Sequence, residues 1–204
     1  MLKRGIGVSA ILACLTLLTV SGCTQSSDGT ASPSNTLPPD SPGASATPSK
    51  ADGGDTAPAI NNPLDVSKFL SHACLSITPD QAAELTISPK GMESGNICEW
   101  PYGNGHEIGV TYTTPDRENG LQNLYDIKAR GDYNNGYFVP TTIEGYPAIY
   151  EDPRDNRQNG ECSLSVGVNE QTFINILNRG EANKDLCPGA AKVANAVIET
   201  IKRG

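Results

Sequence analysis

The sequence predicts an α+β domain in which an antiparallel sheet of about five to six strands packs against helices, with two disulfides and a disordered N-terminal tether. Three observations support this prediction. Short stretches of alternating apolar and polar residues are separated by turn residues, as in antiparallel sheets. The chain ends in an amphipathic helical pattern that needs an apolar surface to cover. Four of the six cysteines lie within the globular part of the chain.

The first 22 residues have the pattern of a lipoprotein signal peptide. Lys3 and Arg4 precede an apolar stretch over residues 6–20, which is too short for a comfortable membrane span. The stretch closes with Val20-Ser21-Gly22-Cys23, which resembles the bacterial lipobox and implies a lipidated thiol at Cys23. The alternatives are an ordinary secreted protein with a chance cysteine at the cleavage site and an uncleaved anchor. Two or three acyl chains anchor a protein stably, so we expect a lipid-anchored protein on the outer face of the cell membrane.

Residues 23–62 form the predicted tether. The segment is rich in Ser, Thr, Pro and Gly and has only Leu37 and Ile60 as large aliphatic residues. Such a composition cannot bury enough apolar surface to offset the entropy of ordering. We therefore expect a disordered linker between the membrane anchor and a globular domain over residues 63–204.

Four cysteines remain in the domain, Cys74, Cys98, Cys162 and Cys187. An even number in an exported chain indicates disulfides, and four cysteines allow three connectivities. We favour Cys74 with Cys98 and Cys162 with Cys187, which close loops of about 25 residues and contribute roughly 3.5 kcal/mol each in the loop-entropy model. The alternative interpretation of the four cysteines is a zinc site, but the C-x₂-C pair that is usual in such sites is missing. No metal and no cofactor are expected.

In the first half of the domain, Phe69 and its neighbours predict a short helix that leads into Cys74. Thr78, Pro79 and Gln81 form a helix start with a capping box, and the helix runs to about Leu85. Two strands follow over residues 97–102 and 106–113, joined by a glycine-rich turn.

The second half opens with Thr114-Pro115, which predicts a helix to about Arg130. Three or four strands follow over residues 137–143, 146–150, 161–168 and 172–177. Pro188 starts the last helix, whose small and aliphatic residues recur at helical spacing.

Several segments, in order along the chain, resemble one protein family. They are Ala73-Cys74-Leu75-Ser76-Ile77-Thr78-Pro79-Asp80-Gln81, Cys98-Glu99-Trp100, Glu144-Gly145-Tyr146-Pro147-Ala148, Cys162-Ser163-Leu164-Ser165-Val166 and Cys187-Pro188. They look like the actinobacterial lipoproteins of the domain of unknown function 3558 family. The resemblance implies an exported, disulfide-bonded lipoprotein of a Gram-positive envelope, and it implies no reaction.

Composition and motifs narrow the function. The net charge of −8 argues against nucleic acid as a partner, because phosphate-backbone binders need a cationic stripe. His72 and His106 are the two histidines, and the sequence contains none of the common hydrolase, kinase or metalloprotease motifs. We therefore expect a protein that is not an enzyme.

Candidate contact residues lie in the second half of the domain, where tyrosines cluster and a charged loop spans residues 151–160. Tyrosine suits interfaces because it buries area at little entropic cost and keeps a polar tip. The loop oxygens also suggest calcium, although two arginines would compete for the carboxylates. The proposed contact residues are Tyr133, Tyr137, Tyr146, Tyr150, Arg154 and Arg157.

These observations predict a non-catalytic binding module of the bacterial cell envelope. Its partner would be the membrane through the anchor and an envelope protein, glycan or lipid through the domain. The alternatives are a carrier of a hydrophobic ligand in a cavity between sheet and helices, and an envelope enzyme that uses paired carboxylates.

Overall fold

The computed structural model describes residues 54–115 and 119–204. The predicted signal peptide, Cys23 and the linker up to residue 53 lie outside the described residues. Seven antiparallel strands form one sheet in the order β1-β2-β3-β7-β6-β5-β4. They are β1 (Met92–Ser94), β2 (Ile97–Tyr102), β3 (His106–Thr113), β4 (Tyr137–Ile143), β5 (Tyr146–Asp152), β6 (Glu161–Gly167) and β7 (Phe173–Arg179).

The sheet consists of two meanders that meet at its centre. Strands β1 to β3 form one meander and β4 to β7 form the other, each by hairpin connections between neighbours. The two are joined where β3 pairs with β7, from Glu107 opposite Arg179 to Thr113 opposite Phe173. This arrangement leaves β1 and β4 as the two edges.

Helices cover both faces of the sheet. The larger apolar cluster includes buried residues of four helices. These are α1 (Pro79–Glu84), α3 (Cys187–Arg203) and the 3₁₀ helices Ser67–Leu70 and Ala73–Ser76. Helix α2 (Gln122–Ala129) contributes to a smaller cluster around Ile149 and Phe173. The alternation of strand residues places these two clusters on opposite faces of the sheet.

The amphipathic pattern of the last helix is confirmed by burial. Val197, Ile198 and Ala194 of α3 have no measurable exposure, as do Leu164 and Ile176 of the sheet. Burial of this stripe against the sheet supplies much of the hydrophobic stabilisation of the domain.

The sheet confirms the predicted α+β class, but the strand count of five to six is too low. The strands predicted over residues 97–102, 106–113 and 137–143 have those bounds in the structure. The missed strand is β1, whose three residues are all exposed. So short and polar a segment carries no apolar alternation, and only its pairing with β2 makes it a strand.

The helix predicted from Thr114 to Arg130 is wrong in its first part. Helix α2 begins only at Gln122 and ends at Ala129. Gly120 has φ of +42°, and a Cβ there would lie 2.7 Å from the Glu170 carbonyl oxygen. The backbone therefore turns in the left-handed region beside the β6–β7 loop before α2 begins.

Residues 54–62 contact the domain. Ala57 donates its backbone N–H to Gln122 Oε1 at 2.8 Å, and Gln122 Nε2 donates to the Asp55 carbonyl oxygen at 3.1 Å. Ile60, one of the two large aliphatics of the predicted linker, packs against the larger apolar cluster. The packed part of the chain thus includes residues before Pro63.

Both favoured disulfides are present. Cys74 pairs with Cys98 and Cys162 with Cys187, with Cα–Cα distances of 5.0 and 5.2 Å. The first joins the 3₁₀ helix Ala73–Ser76 to β2. The second joins the start of β6 to the start of α3, and it shapes the surface described next.

Candidate functional site

A cleft of about 640 Å³ opens beside the second disulfide, where β4 and β5 meet two loops. This size lies within the range of small-molecule sites. We call it the tyrosine cleft. Its lining residues are Tyr137, Val139, Tyr150, Arg157, Gln158, Asn183, Lys184, Asp185 and Cys187.

The floor of the tyrosine cleft comes from two neighbouring strands. Tyr137 and Val139 of β4 stand two residues apart, and Val139 lies opposite Tyr150 of β5. Side chains at these register positions share one face of the sheet. Tyr137 is anchored because its hydroxyl accepts the Ser163 backbone N–H at 3.3 Å. Val139 remains 49% exposed, which leaves apolar surface open at the edge of the sheet.

The Tyr150 ring is half-buried, and no other described residue forms a hydrogen bond with its hydroxyl. Burial first and the Asp185 carboxylate second raise its pKa. Burial also raises the pKa of Tyr137 to about 12. Both hydroxyls therefore stay protonated at physiological pH, and Tyr150 keeps a donor and an acceptor for a ligand.

One wall of the cleft is the loop between β5 and β6, which is held in shape by its own carboxylates. Asp152 accepts hydrogen bonds from the backbone N–H groups of Arg154 and Asn156 at 2.9 and 3.0 Å. Asp155 adopts the left-handed conformation and begins the 3₁₀ helix Asn156–Asn159. Aspartate tolerates this conformation and favours such turns. The loop is thus ordered by Asp152 and Asp155.

The opposite wall is the segment between β7 and α3, which is tied to the first wall. Gly180 donates its N–H to the Gly160 carbonyl at 2.8 Å, and Asn183 donates to the Gln158 carbonyl at 3.0 Å. The disulfide at Cys187 adds a covalent tie. Gly160 is required here, since its φ is +79° and a Cβ would lie 2.5 Å from the Gly180 oxygen. The two walls are therefore fixed before any ligand binds.

The charges of the cleft are arranged around Arg157. Its guanidinium lies 4.1 Å from the centre of the Tyr137 ring, a cation–π geometry. Asp155 accepts from its Nε and Nη2 at 2.7 and 2.6 Å, which raises the pKa of Arg157. Lys184 is exposed and forms no ion pair with another residue of the described ranges. Asp185 Oδ1 accepts the backbone N–H of Cys187 at 3.1 Å.

The structure brings together half of the six predicted contact residues. Tyr137, Tyr150 and Arg157 line the tyrosine cleft, whereas the other three lie elsewhere. Tyr146 donates its hydroxyl to the Asn62 carbonyl at 3.0 Å, and Arg154 is exposed outside the lining.

Tyr133 belongs to a second polar cluster, on the opposite face of the sheet. Its hydroxyl donates to Glu151 Oε2 at 3.0 Å, while Ser163 and Ser165 donate to Oε1 at 3.2 and 3.1 Å. The Nδ2 group of Asn175 lies 3.4 Å from the same oxygen. Glu151 is only 8% exposed. Desolvation raises its pKa even though the hydrogen bonds oppose this shift.

Sequence reasoning missed the residues of the second wall, Asn183, Lys184 and Asp185. The cysteine pairing is the sequence feature that could have identified them. A bond between Cys162 and Cys187 brings the polar segment before each cysteine to the same place, so the charged loop over residues 151–160 acquires a partner.

The remaining predicted features lie away from the cleft. A Cβ added at Gly91 would contact the Trp100 ring and both sulfurs of the first disulfide, so Trp100 packs beside that disulfide. His72 Nδ1 lies 3.3 Å from Glu93 Oε1 on the surface.

Within residues 54–115 and 119–204, no three His, Cys, Asp or Glu side chains come close enough together to hold a metal ion. Over the same ranges, no helix has the length and apolar character needed to span a membrane.

Fold and site together define a small, doubly disulfide-bonded α+β domain with an open, polar and aromatic cleft. A family model described as protein of unknown function (DUF3558) matches residues 18–200, and the chain belongs to this family. No curated protein and no solved structure matches the chain. Membership of the family, which the ordered segments predicted, is thereby confirmed.

Proposed function

We propose that this chain is a lipid-anchored extracytoplasmic lipoprotein of an actinobacterial envelope, and that its domain binds an envelope ligand in the tyrosine cleft without catalysing a reaction. The observation that carries the binding role is the cleft itself. Its two walls are tied by backbone hydrogen bonds and a disulfide, so its aromatic, amide and charged groups are held in place. Preorganised sites of this kind lose little entropy when a ligand binds.

The anchoring part of the proposal rests on the signal-peptide pattern and on Cys23. It predicts that a palmitate analogue fed to the host labels the wild-type chain and does not label Cys23→Ala. Cys14→Ala is the matched control, because Cys14 lies within the predicted signal peptide, and this variant should keep the label. An unlabelled wild type or a labelled Cys23→Ala chain would contradict the anchor.

The alternative function, an envelope enzyme that uses paired carboxylates, can be judged from the positions of two carboxylates. Glu151 is saturated by hydroxyl and amide donors on the face opposite the tyrosine cleft. Asp185 is the one carboxylate among the described lining residues. A paired-carboxylate mechanism needs two such groups flanking one substrate. The arrangement therefore favours binding over hydrolysis.

Binding is tested with the full chain held in lipid nanodiscs and sedimented with isolated cell envelopes, with empty nanodiscs as the background. We expect saturable binding that Tyr150→Phe weakens about fivefold, the effect of one lost hydrogen bond. Tyr146→Phe removes a hydroxyl outside the cleft and should bind like the wild type. Equal binding by both variants, or no binding by any, would refute a role for the cleft.

A further inference from the structure

The lining of the tyrosine cleft combines apolar and polar surfaces. The half-buried Tyr150 ring and the exposed Val139 side chain give it an apolar floor. Gln158 and Asn183 stand on opposite walls, and each side-chain amide offers both donors and an acceptor. A pyranose ring has matching features, since its C–H face is apolar and its hydroxyls both donate and accept. The volume of about 640 Å³ leaves room for more than one such ring.

The lining contains two cations, Arg157 and Lys184, and one carboxylate, Asp185, although the whole chain carries a net charge of −8. Asp155, just outside the lining, offsets the charge of Arg157, whereas Lys184 pairs with no carboxylate of the described residues. Asp155 occupies the Nε and Nη2 side of Arg157, so the donors on Nη1 are left for a ligand. Together with the exposed ammonium of Lys184, they can form charge-assisted hydrogen bonds to an anion.

The two cations are balanced by Asp155 and Asp185, which limits the negative charge that a ligand can carry. Asp185 lies close enough to Arg157 and Tyr150 to influence the electrostatics of both, and it would repel a polyanion. One oxygen of Asp185 accepts the Cys187 N–H, while the other remains available to accept a sugar hydroxyl. A single acidic group on an otherwise neutral saccharide fits this charge pattern.

We propose that the tyrosine cleft binds a saccharide that carries one anionic group, a carboxylate or a phosphate, against Lys184 and Arg157. This inference rests on the proposed function and names the ligand class for the same cleft. Tyr150 and Val139 provide the surface for the sugar ring, while Gln158 and Asn183 bind its hydroxyls.

The test is calorimetric titration of the full chain in nanodiscs with chemically matched probes. The first probe is a galactose disaccharide with one ring oxidised to the uronic acid, and the second is the same disaccharide with both rings neutral. We expect the acidic form to bind about tenfold more tightly, and the preference to shrink as salt is raised. A galactose phosphate then distinguishes phosphate from carboxylate as the preferred anion.

Matched variants assign the preference to the cleft. Lys184→Gln should reduce the tenfold preference for the acidic disaccharide to about twofold. Lys90→Gln removes an exposed lysine elsewhere and should keep the full preference. Equal affinity for the acidic and neutral forms, or loss of preference in both variants, would overturn the proposal.

The outcomes also separate this inference from the proposed function. Suppose that neither disaccharide binds, while cell envelopes still bind the chain and Tyr150→Phe still weakens that binding. The proposed ligand class is then wrong, and the proposed binding function stands. If triglutamate binds more tightly than the acidic disaccharide, the ligand is an acidic peptide and the saccharide proposal fails. If envelopes also fail to bind, both proposals fail.

Discussion

Glu151 buries a carboxylate among hydroxyl and amide donors, on a strand that also contributes Tyr150 to the tyrosine cleft. Its two oxygens receive hydrogen bonds from Tyr133, Ser163 and Ser165. Even so, burial dominates and raises its pKa above the ordinary value of 4.5. Protonation is thus more favourable in the folded protein than in the unfolded chain, which makes stability depend on pH.

The sign of this dependence gives a prediction. A raised folded-state pKa contributes stability that is complete below pH 4.5 and is lost as the pH rises through the folded-state pKa. Glu151→Gln keeps the size of the side chain and does not titrate. Its stability relative to the wild type should therefore increase between pH 4 and pH 7, as measured by urea unfolding. A difference that stays constant over this range would contradict the raised pKa.

Truncation at the same position should act differently. Glu151→Ala leaves the Tyr133 and Ser165 hydroxyls buried without their acceptor, and we expect a loss of about 2 kcal/mol in the free energy of unfolding at pH 4. This loss should shrink as the pH rises, because the wild type itself becomes less stable when Glu151 ionises. Urea unfolding of this variant beside Glu151→Gln separates the cost of the charge from the value of the hydrogen bonds.

Gly91 permits close packing of Trp100 against the first disulfide. A Cβ at this position would overlap the Cys98 sulfur and lie 2.8 Å from the Trp100 ring. We expect Gly91→Ala to lower the free energy of unfolding by about 2 kcal/mol. Gly109→Ala is the control, because its Cβ would meet its nearest atoms at 3.9 Å. Similar melting temperatures for the two variants would show that this contact is not restrictive.

Between elements, Gln81 links helix α1 to helix α3. Its Oε1 accepts the Thr78 N–H at 2.9 Å in the capping box, and its Nε2 donates to the Ala196 carbonyl at 2.9 Å. The Thr200 hydroxyl donates to the same Oε1 at 2.8 Å. One residue thus caps a short helix and fixes its position against the long one.

We therefore expect Gln81→Ala to cost about 2 kcal/mol of unfolding free energy, against about 1 kcal/mol for Thr78→Ala, which removes only the cap. Urea unfolding of both variants measures the difference. A larger loss for Thr78→Ala would mean that the contact with α3 contributes little.

The two disulfides give a second comparison between elements. Replacing either pair by serine opens a loop of about 25 residues and should cost up to about 3.5 kcal/mol. The Cys162→Ser, Cys187→Ser chain should also lose affinity for cell envelopes, because its cleft walls lose a tie. The Cys74→Ser, Cys98→Ser chain should keep that affinity when it is folded. An equal loss of affinity in both variants would show that binding in the cleft does not depend specifically on the second disulfide.

At the scale of the whole molecule, local signals in the sequence predicted most of the elements. The capping box at Thr78 and Gln81 forms as expected, and the strand alternation around Val110 places it in the core. The start of α2 could not be predicted, because Gly120 turns against the distant Glu170 carbonyl. Strand β1 likewise depends on pairing rather than on its own pattern.

The candidate site was only half predictable for a similar reason. Tyr137, Tyr150 and Arg157 were visible as part of an aromatic and charged cluster that also included Tyr133 and Tyr146. Tyr133 lies in the turn between α2 and β4, and Tyr146 lies on the same face of β5 as Tyr150 but at the other end of the cleft-forming strand. Local sequence does not reveal these positions. Lys184 and Asp185 join the site because the favoured bond between Cys162 and Cys187 brings their segment beside the charged loop over residues 151–160.

Binding in the tyrosine cleft is tested most directly by mapping ligand contact on the seven tyrosines of the full chain. With the tyrosine rings isotope-labelled and soluble glycans from cell envelopes added, the account predicts NMR shifts at Tyr150 and Tyr137 and none at Tyr102 or Tyr112. Shifts confined to tyrosines outside the tyrosine cleft, with Tyr150 unchanged at saturation, would contradict it.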